Sequence, residues 1–212
     1  TWVRKTEQYA THSNYRTNAV MDTIFNSTKT NPRGIPEAPF VETVEDFVKD
    51  SSDFDLVFNK FQERLSKYKF MQESKLATVK QLKTKIPDIE NTLNMCRTLK
   101  LKQQSGEPVE TNYQLNETLY TKASIDTTQD LKVGLWLGAD IMLEYPIDEA
   151  IELLDEKLKD ARDNLEVSNE DVEFLRENIT TMEVNCARLY NWDVEKRQQL
   201  KQAQDGTENL KI

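Results

Sequence analysis

Cysteine, histidine and glycine are scarce in this chain of 212 residues. It has two cysteines, Cys96 and Cys186, a single histidine, His12, and five glycines. A zinc site draws on several Cys or His ligands, and a serine-type triad needs a histidine base, so neither site is expected. The glycine-rich loops that bind nucleotide phosphates are missing too. These absences predict that the chain is not an enzyme and holds no metal or cofactor, although chemistry based on carboxylates alone stays open.

Long apolar runs are also missing. The longest, over 133–143, is too short for the ~20 residues of a transmembrane helix, and it contains Asp140. No apolar stretch near the N-terminus indicates a secretory signal. The formal net charge of -9 disfavours nucleic acid as a partner, because phosphate binding needs a basic face. The sequence therefore predicts no membrane partner and no nucleic-acid partner.

What the chain does contain is two blocks of heptad repeats. Apolar residues recur with alternating four- and three-residue spacing over 54–96 and again over 147–189. This pattern predicts coiled-coil helices over 52–103 and 147–203. Pro87 interrupts the first block without shifting its phase, so we expect a kinked helix that continues through the proline.

The charges of the two blocks are opposite. Residues 54–102 contain 11 basic and 5 acidic side chains, whereas residues 148–195 contain 5 basic and 15 acidic. The blocks are therefore expected to pair with each other as an antiparallel hairpin, with Cys96 opposite Ile147. That register holds Cys186 far from Cys96, which excludes a disulfide between them. Two reduced thiols predict a cytoplasmic protein, with a nuclear role left open.

Between the blocks, over 104–146, the apolar period changes from heptads to strict alternation. Turns are indicated at 116–117 and at 138–140, so the sequence predicts two β-hairpins inserted between the helices. The four expected strands are 109–115, 119–125, 131–137 and 141–145. The predicted fold class is mostly α with a small β insertion, a long antiparallel coiled-coil hairpin joined by two β-hairpins.

A sheet this small cannot bury an adequate core without a metal or a disulfide. Its strands are therefore predicted to complete a sheet with strands of other subunits. In the alternative reading, Trp136 only caps the inner end of the coiled coil. The residues predicted to serve subunit assembly are Leu119, Val133, Leu135, Trp136, Leu137, Ile141 and Leu143.

The chain termini show neither period. Residues 1–20 lack a repeat and precede Met21, which resembles an initiator, so they are expected to form a disordered extension. Residues 21–51 contain several prolines and predict an extended lead-in with a short apolar patch near Phe40. Residues 204–212 are expected to form a flexible tail.

Four runs of the sequence resemble one protein family. RGIPEAPF, KYKFMQ, LWLGADIMLEYPIDEA and FLRENITTMEVNCARLYNWDV are similar to α-class subunits of eukaryotic prefoldin, over roughly 21–212. The resemblance implies a hexamer with one further α-class subunit and four β-class subunits, in which the hairpins build an intersubunit β-barrel. It also implies ATP-independent capture of unfolded actin and tubulin and their delivery to the cytosolic group II chaperonin.

Apolar residues at the helix ends remote from the strands are the candidates for client binding. Phe47, Val57, Tyr190 and Trp192 are predicted to form this surface, with Val57 and Trp192 lying off the coiled-coil seam. For Trp192, packing against Phe47 or Val48 is an equal alternative. The rival function is a structural coiled-coil adaptor or tether without chaperone activity, which accounts for the heptads but not for the hairpins.

Overall fold

Two long helices joined by two strand pairs make up the computed structural model, which describes residues 29–48, 53–127 and 130–208. The predicted fold class is confirmed, and each element lies within a few residues of its expected bounds. The predicted extension over 1–20 lies outside the described residues. In chain order the elements are a 3-10 helix Val44–Asp46, α1 Phe54–Ser105, β1 Val109–Asn116, β2 Leu119–Ile125, β3 Lys132–Gly138, β4 Ile141–Pro146 and α2 Ile147–Glu208.

Helix α1 runs unbroken through Pro87, as predicted. It ends in a Schellman motif: Gly106 has φ +69, its N–H donates to Gln103 O, and the N–H of Glu107 donates to Lys102 O. Helix α2 follows directly from β4, and the N–H of Ile147 donates to Leu131 O at 3.0 Å. It extends to Glu208, five residues beyond its predicted end and into the range expected to be a flexible tail.

The chain divides into two compact units, one comprising 77–169 and the other the residues on either side. In the 77–169 unit the inner face of β3 packs against both helices. Leu135 on that face is buried, and Val133 is partly buried beside it. The buried members of this cluster are Leu93, Cys96, Leu135, Ile147, Ala150, Leu154 and Leu158.

Ion pairs between the helices follow the predicted pairing of basic α1 with acidic α2. In the 77–169 unit Arg97 of α1 binds Asp155 of α2 at 2.8 Å, and Lys100 of α1 binds Asp148 of α2. One pair in this unit has the opposite polarity, since Arg162 of α2 binds Glu90 of α1 at 2.5 Å. Cys96 and Ile147, which were predicted to face each other, both belong to the buried cluster of this unit. Exposed pairs of this kind contribute only about 0–1 kcal/mol each, and charge alone could not fix the register.

The other unit contains a third element that the heptads did not predict. The extended residues 29–48, hereafter the 29–48 segment, pack into the apolar cluster of this unit. Val41 and Val48 are completely or almost completely buried, and Phe47 contacts Phe61 edge to face at 6.0 Å between ring centroids. The buried helix residues of the cluster are Phe54, Val57, Phe61, Tyr68, Leu175, Ile179, Met182 and Leu189.

A buried carboxylate ties the 29–48 segment to both helices. The side chain of Asp171 is 0% exposed, and its Oδ1 accepts hydrogen bonds from Asn31 Nδ2 at 2.8 Å and from Arg33 Nε at 2.5 Å. Lys75 Nζ lies 2.9 Å from Oδ2. Burial acts to raise the pKa of Asp171, but the hydrogen bonds and charges of Lys75 and Arg33 outweigh it and lower the pKa below its ordinary value.

We expect Asp171→Asn to lower the free energy of unfolding by about 3 kcal/mol at pH 7, because two cations lose a buried carboxylate. Since the folded-state pKa is depressed, the stabilisation is complete above the unfolded-state pKa of about 3.9 and is lost as the pH falls through the folded-state pKa. Urea unfolding followed by circular dichroism at several pH values measures both effects. Asp163→Asn, at an exposed position of the same helix, is the control. Equal stability of the two variants would contradict the assignment.

Candidate functional site

The four strands form two separate antiparallel pairs, β1 with β2 and β3 with β4. In the first pair Val109 lies opposite Ile125, and in the second Lys132 lies opposite Pro146. An isolated two-stranded sheet is marginally stable in water. Among the described residues, the outer edge of each of the four strands pairs with no further strand. Both pairs therefore have unused backbone donors and acceptors.

Each pair is closed at a predicted turn. In the first, Asn116 Oδ1 accepts hydrogen bonds from the N–H groups of Thr118 and Leu119 at 3.0 and 2.8 Å. In the second, Ala139 and Asp140 have φ values of 50° and 56°, as in the type I′ turns that match the twist of a hairpin. Both predicted hairpins are confirmed.

The alternation of β3 separates two different apolar faces. Leu135 is only 8% exposed and packs in the cluster with Ile147, whereas Trp136 is 65% exposed. The alternative in which Trp136 caps the coiled coil is therefore wrong, because Leu135 and Val133 fill that position. Of the predicted assembly residues, those exposed in this chain are Leu119, Trp136, Leu137, Ile141 and Leu143.

Further apolar side chains on the strands are exposed, and the predicted set did not include them. Their signal was present in the sequence, because each belongs to an alternating strand and has a large apolar or aromatic side chain. These additional residues are Tyr113, Leu115, Tyr120, Ile125 and Met142. Together with the five exposed residues named above they form what we call the strand faces. Apolar surface so extensive on so few residues is typical of a protein–protein interface.

The residues predicted to contact clients have unequal exposure. Tyr190 is 58% exposed, and Phe47 and Trp192 are partly buried against the apolar cluster. Trp192 Nε1 donates a hydrogen bond to Glu45 Oε1 at 2.8 Å, which also lowers the pKa of that carboxyl. Val57 is 0% exposed, so the prediction that it lies on the surface is wrong. It belongs to the cluster that contains the 29–48 segment.

Helix α2 binds the 29–48 segment through polar side chains spaced seven residues apart. Asn178 Oδ1 accepts a hydrogen bond from the N–H of Ala38. Asn185 makes two bonds: its Oδ1 accepts from the N–H of Val41 at 2.9 Å, and its Nδ2 donates to Pro39 O at 2.7 Å. We call the four side chains at this spacing, Asp171, Asn178, Asn185 and Trp192, the polar stripe.

Two further side chains bind the same backbone. Arg188 Nη1 donates to Val41 O at 2.9 Å, and Tyr68 Oη on α1 donates to Pro36 O at 2.9 Å. Pattern reading missed the polar stripe because polar residues next to a heptad seam are ordinarily a solvated face. The signal available in the sequence was the pair of asparagines one heptad apart. In the structure both are buried, and a buried amide needs hydrogen-bond partners.

Other kinds of site find no support in the part of the chain that the structure describes. No group of His, Cys, Asp and Glu there is arranged to hold a metal ion. No helix there is long and apolar enough to cross a membrane. Cys96 and Cys186 are free thiols, and burial raises the pKa of both, which disfavours the reactive thiolate.

Comparison with known proteins shows the family of the chain. A family model described as Prefoldin subunit matches residues 68–192, more than half of the chain. Prefoldin subunit 3 of Saccharomyces cerevisiae is 70% identical over 199 residues, covering 91% of this chain and 100% of that protein. Prefoldin subunit 3 of Elsinoe fawcettii is 50% identical over 179 residues, covering 84% and 90%. A chain of filamentous PFD from Methanocaldococcus jannaschii is 18% identical with a TM-score of 0.38, covering 53% of this chain and 95% of that one.

Two helices joined by two β-hairpins with exposed apolar strand faces define a coiled-coil assembly protein. The chain belongs to the prefoldin family, whose subunits are components of a chaperone co-factor complex. Its curated relatives in both fungi are named subunit 3, which confirms the assignment made from the sequence resemblance.

The two faces of β3 predict different outcomes for two neighbouring substitutions. Trp136→Asp should leave the isolated chain helical but prevent its incorporation into a complex, because the new charge would be buried only against a partner. Leu135→Asp should destabilise the chain itself, because its own cluster buries the charge. Circular dichroism and native mass spectrometry separate the two effects. Met95→Asp, at an exposed apolar position on α1, is the control, and normal assembly of Trp136→Asp would contradict the assembly role.

Proposed function

We propose that the chain acts as one subunit of a hexamer, with one further α-class and four β-class prefoldin subunits, that captures unfolded proteins without ATP. The observation that carries the assembly is the pair of strand faces on sheets with open edges. Neighbouring strands could bind those edges through backbone hydrogen bonds and cover the exposed apolar side chains. The shared sheets would then close into a β-barrel, which removes the open edges.

Client capture is supported by exposed aromatic side chains in the unit that contains the 29–48 segment. Phe40, Phe70 and Tyr190 are all more than half exposed. Beside Phe70, Met71 and Pro36 line an open apolar groove of about 450 Å³. Unfolded chains expose apolar side chains that folded proteins bury, and a groove of this kind offers them a site without a fixed sequence requirement.

Actin and tubulin are the proposed clients, and the cytosolic group II chaperonin is the proposed recipient, so the complex would work in the cytoplasm. The resemblance to eukaryotic α-class subunits supports this part of the proposal. The charge of α2 is compatible with it, since residues 148–195 carry 15 acidic against 5 basic side chains and could approach a basic surface on the chaperonin.

The remaining competitor is a coiled-coil adaptor without chaperone activity, which the two long paired helices alone would also suit. Native mass after reconstitution with the other subunits distinguishes the two. A six-chain complex that suppresses aggregation of denatured actin without ATP supports the proposal. A two-chain complex, or a hexamer without suppression, contradicts it.

Within that assay, Tyr190→Ser should weaken suppression of actin aggregation about fivefold, because an exposed aromatic contact contributes about 1 kcal/mol. Native mass spectrometry should show an unchanged hexamer, since Tyr190 is remote in sequence from the strands. Met95→Ser removes an equally exposed apolar side chain from the 77–169 unit and should leave suppression intact. If both variants behave alike, Tyr190 is not part of the client surface.

A further inference from the structure

Between Pro36 and Val41, the helices bind the 29–48 segment through its backbone, so these contacts do not depend on its sequence. Five of its backbone atoms, between Pro36 and Val41, are hydrogen-bonded by side chains of the helices. Both prolines in this stretch are bound through their carbonyl oxygens, the one backbone group that proline shares with every other residue. Contacts of this kind would accept the backbone of any extended chain with apolar side chains at the right positions.

The side chains that accompany these bonds are simple apolar anchors. Ala38, Val41, Val44 and Val48 are all buried, and they belong to the same cluster as Val57 and the other helix residues named above. Small apolar side chains at short intervals on an extended backbone are common in unfolded proteins. The 29–48 segment therefore has the properties of a bound unfolded peptide, although it is part of the same chain.

We propose that the polar stripe, Arg188 and Tyr68 line a groove that binds an extended apolar segment of an unfolded client. The 29–48 segment occupies this groove until the client displaces it. The inference rests on the proposed chaperone function and specifies one site for it. Displacement would uncover Val57, Phe61 and the inner face of Trp192. In the resting subunit these apolar side chains stay covered, which protects the free chain from association.

Competition between the 29–48 segment and the client predicts the direction in which client capture should change. Any change that loosens the 29–48 segment while leaving the groove intact should strengthen client capture, because the client no longer competes with a well-bound occupant. A segment that only stabilises the fold would behave in the opposite way. Loosening it would destabilise the subunit and would bring the client no advantage.

Hydrogen exchange on the reconstituted wild-type hexamer tests the displacement directly. The amides of Ala38 and Val41 donate to Asn178 and Asn185, so they should exchange slowly in the resting complex. With denatured actin in excess, we expect their exchange to accelerate about tenfold, while helix amides around Leu175 keep their protection. Unchanged protection at Ala38 and Val41 under conditions where actin aggregation is suppressed would overturn the inference.

A paired substitution in the segment provides the second test. Val41→Ala with Val48→Ala removes buried methyl groups from the occupant and none from the groove, and we expect it to improve suppression of actin aggregation about tenfold. Val79→Ala removes the methyl groups of one valine, half as many as the paired substitution, from a buried position outside the segment and should leave suppression unchanged. Adding a synthetic peptide of residues 29–48 should reverse the gain.

The outcomes separate the two proposals. If the wild-type hexamer suppresses no aggregation, the chaperone function itself fails. If suppression by the wild-type hexamer is normal but the paired variant captures actin no better, although its amides at positions 38 and 41 exchange faster, the groove is not a client site. Should the paired variant fail to assemble, the exchange experiment on the wild-type complex still decides.

Discussion

A buried backbone N–H or C=O group needs a hydrogen-bond partner, and this requirement governs both distinctive parts of the molecule. Helices satisfy it internally, so α1 and α2 contribute only side chains to their surroundings. The 29–48 segment bonds its own backbone in its turns, as from Asn31 N–H to Ile35 O and from Val48 N–H to Val44 O, but its stretch from Ala38 to Val41 is extended and needs other partners. Side chains of α2 supply them. The strands meet the same requirement differently, with one neighbour each and one edge open.

These two solutions suit two kinds of partner. An open strand edge offers a row of backbone groups in fixed geometry, which only another strand in register can match, so the strand faces favour a permanent and specific neighbour. An asparagine on a helix offers one donor and one acceptor on a side chain with rotational freedom. Contacts of this kind bind an extended chain without selecting its sequence, and they form and break one at a time.

Much of this could be predicted from the sequence, because periodicity reports which face of an element is apolar. The heptads predicted α1 and α2, including the passage through Pro87, and alternation predicted all four strands with their turns. The exact register of the two helices stays a prediction, since a heptad repeat fits equally well after a shift of seven residues. Val57 was misplaced because a two-helix seam was assumed. The 29–48 segment is a third element that buries more of the helix surface, and residues 29–48 contain no periodic pattern that predicts this packing.

The spacing of the two asparagines in the polar stripe matches the spacing of the backbone groups that they bind. Seven residues of α-helix advance about 10.5 Å along the axis, at 1.5 Å per residue. Three residues of extended chain advance about 10 Å. Between Asn178 and Asn185 the helix advances by seven residues while the bound backbone advances by three, from Ala38 to Val41. The spacing of Asn178 and Asn185 therefore matches three residues of extended polypeptide. An extended chain bound at Asn178 meets Asn185 three residues later, and one residue inserted between these two contacts would break the match.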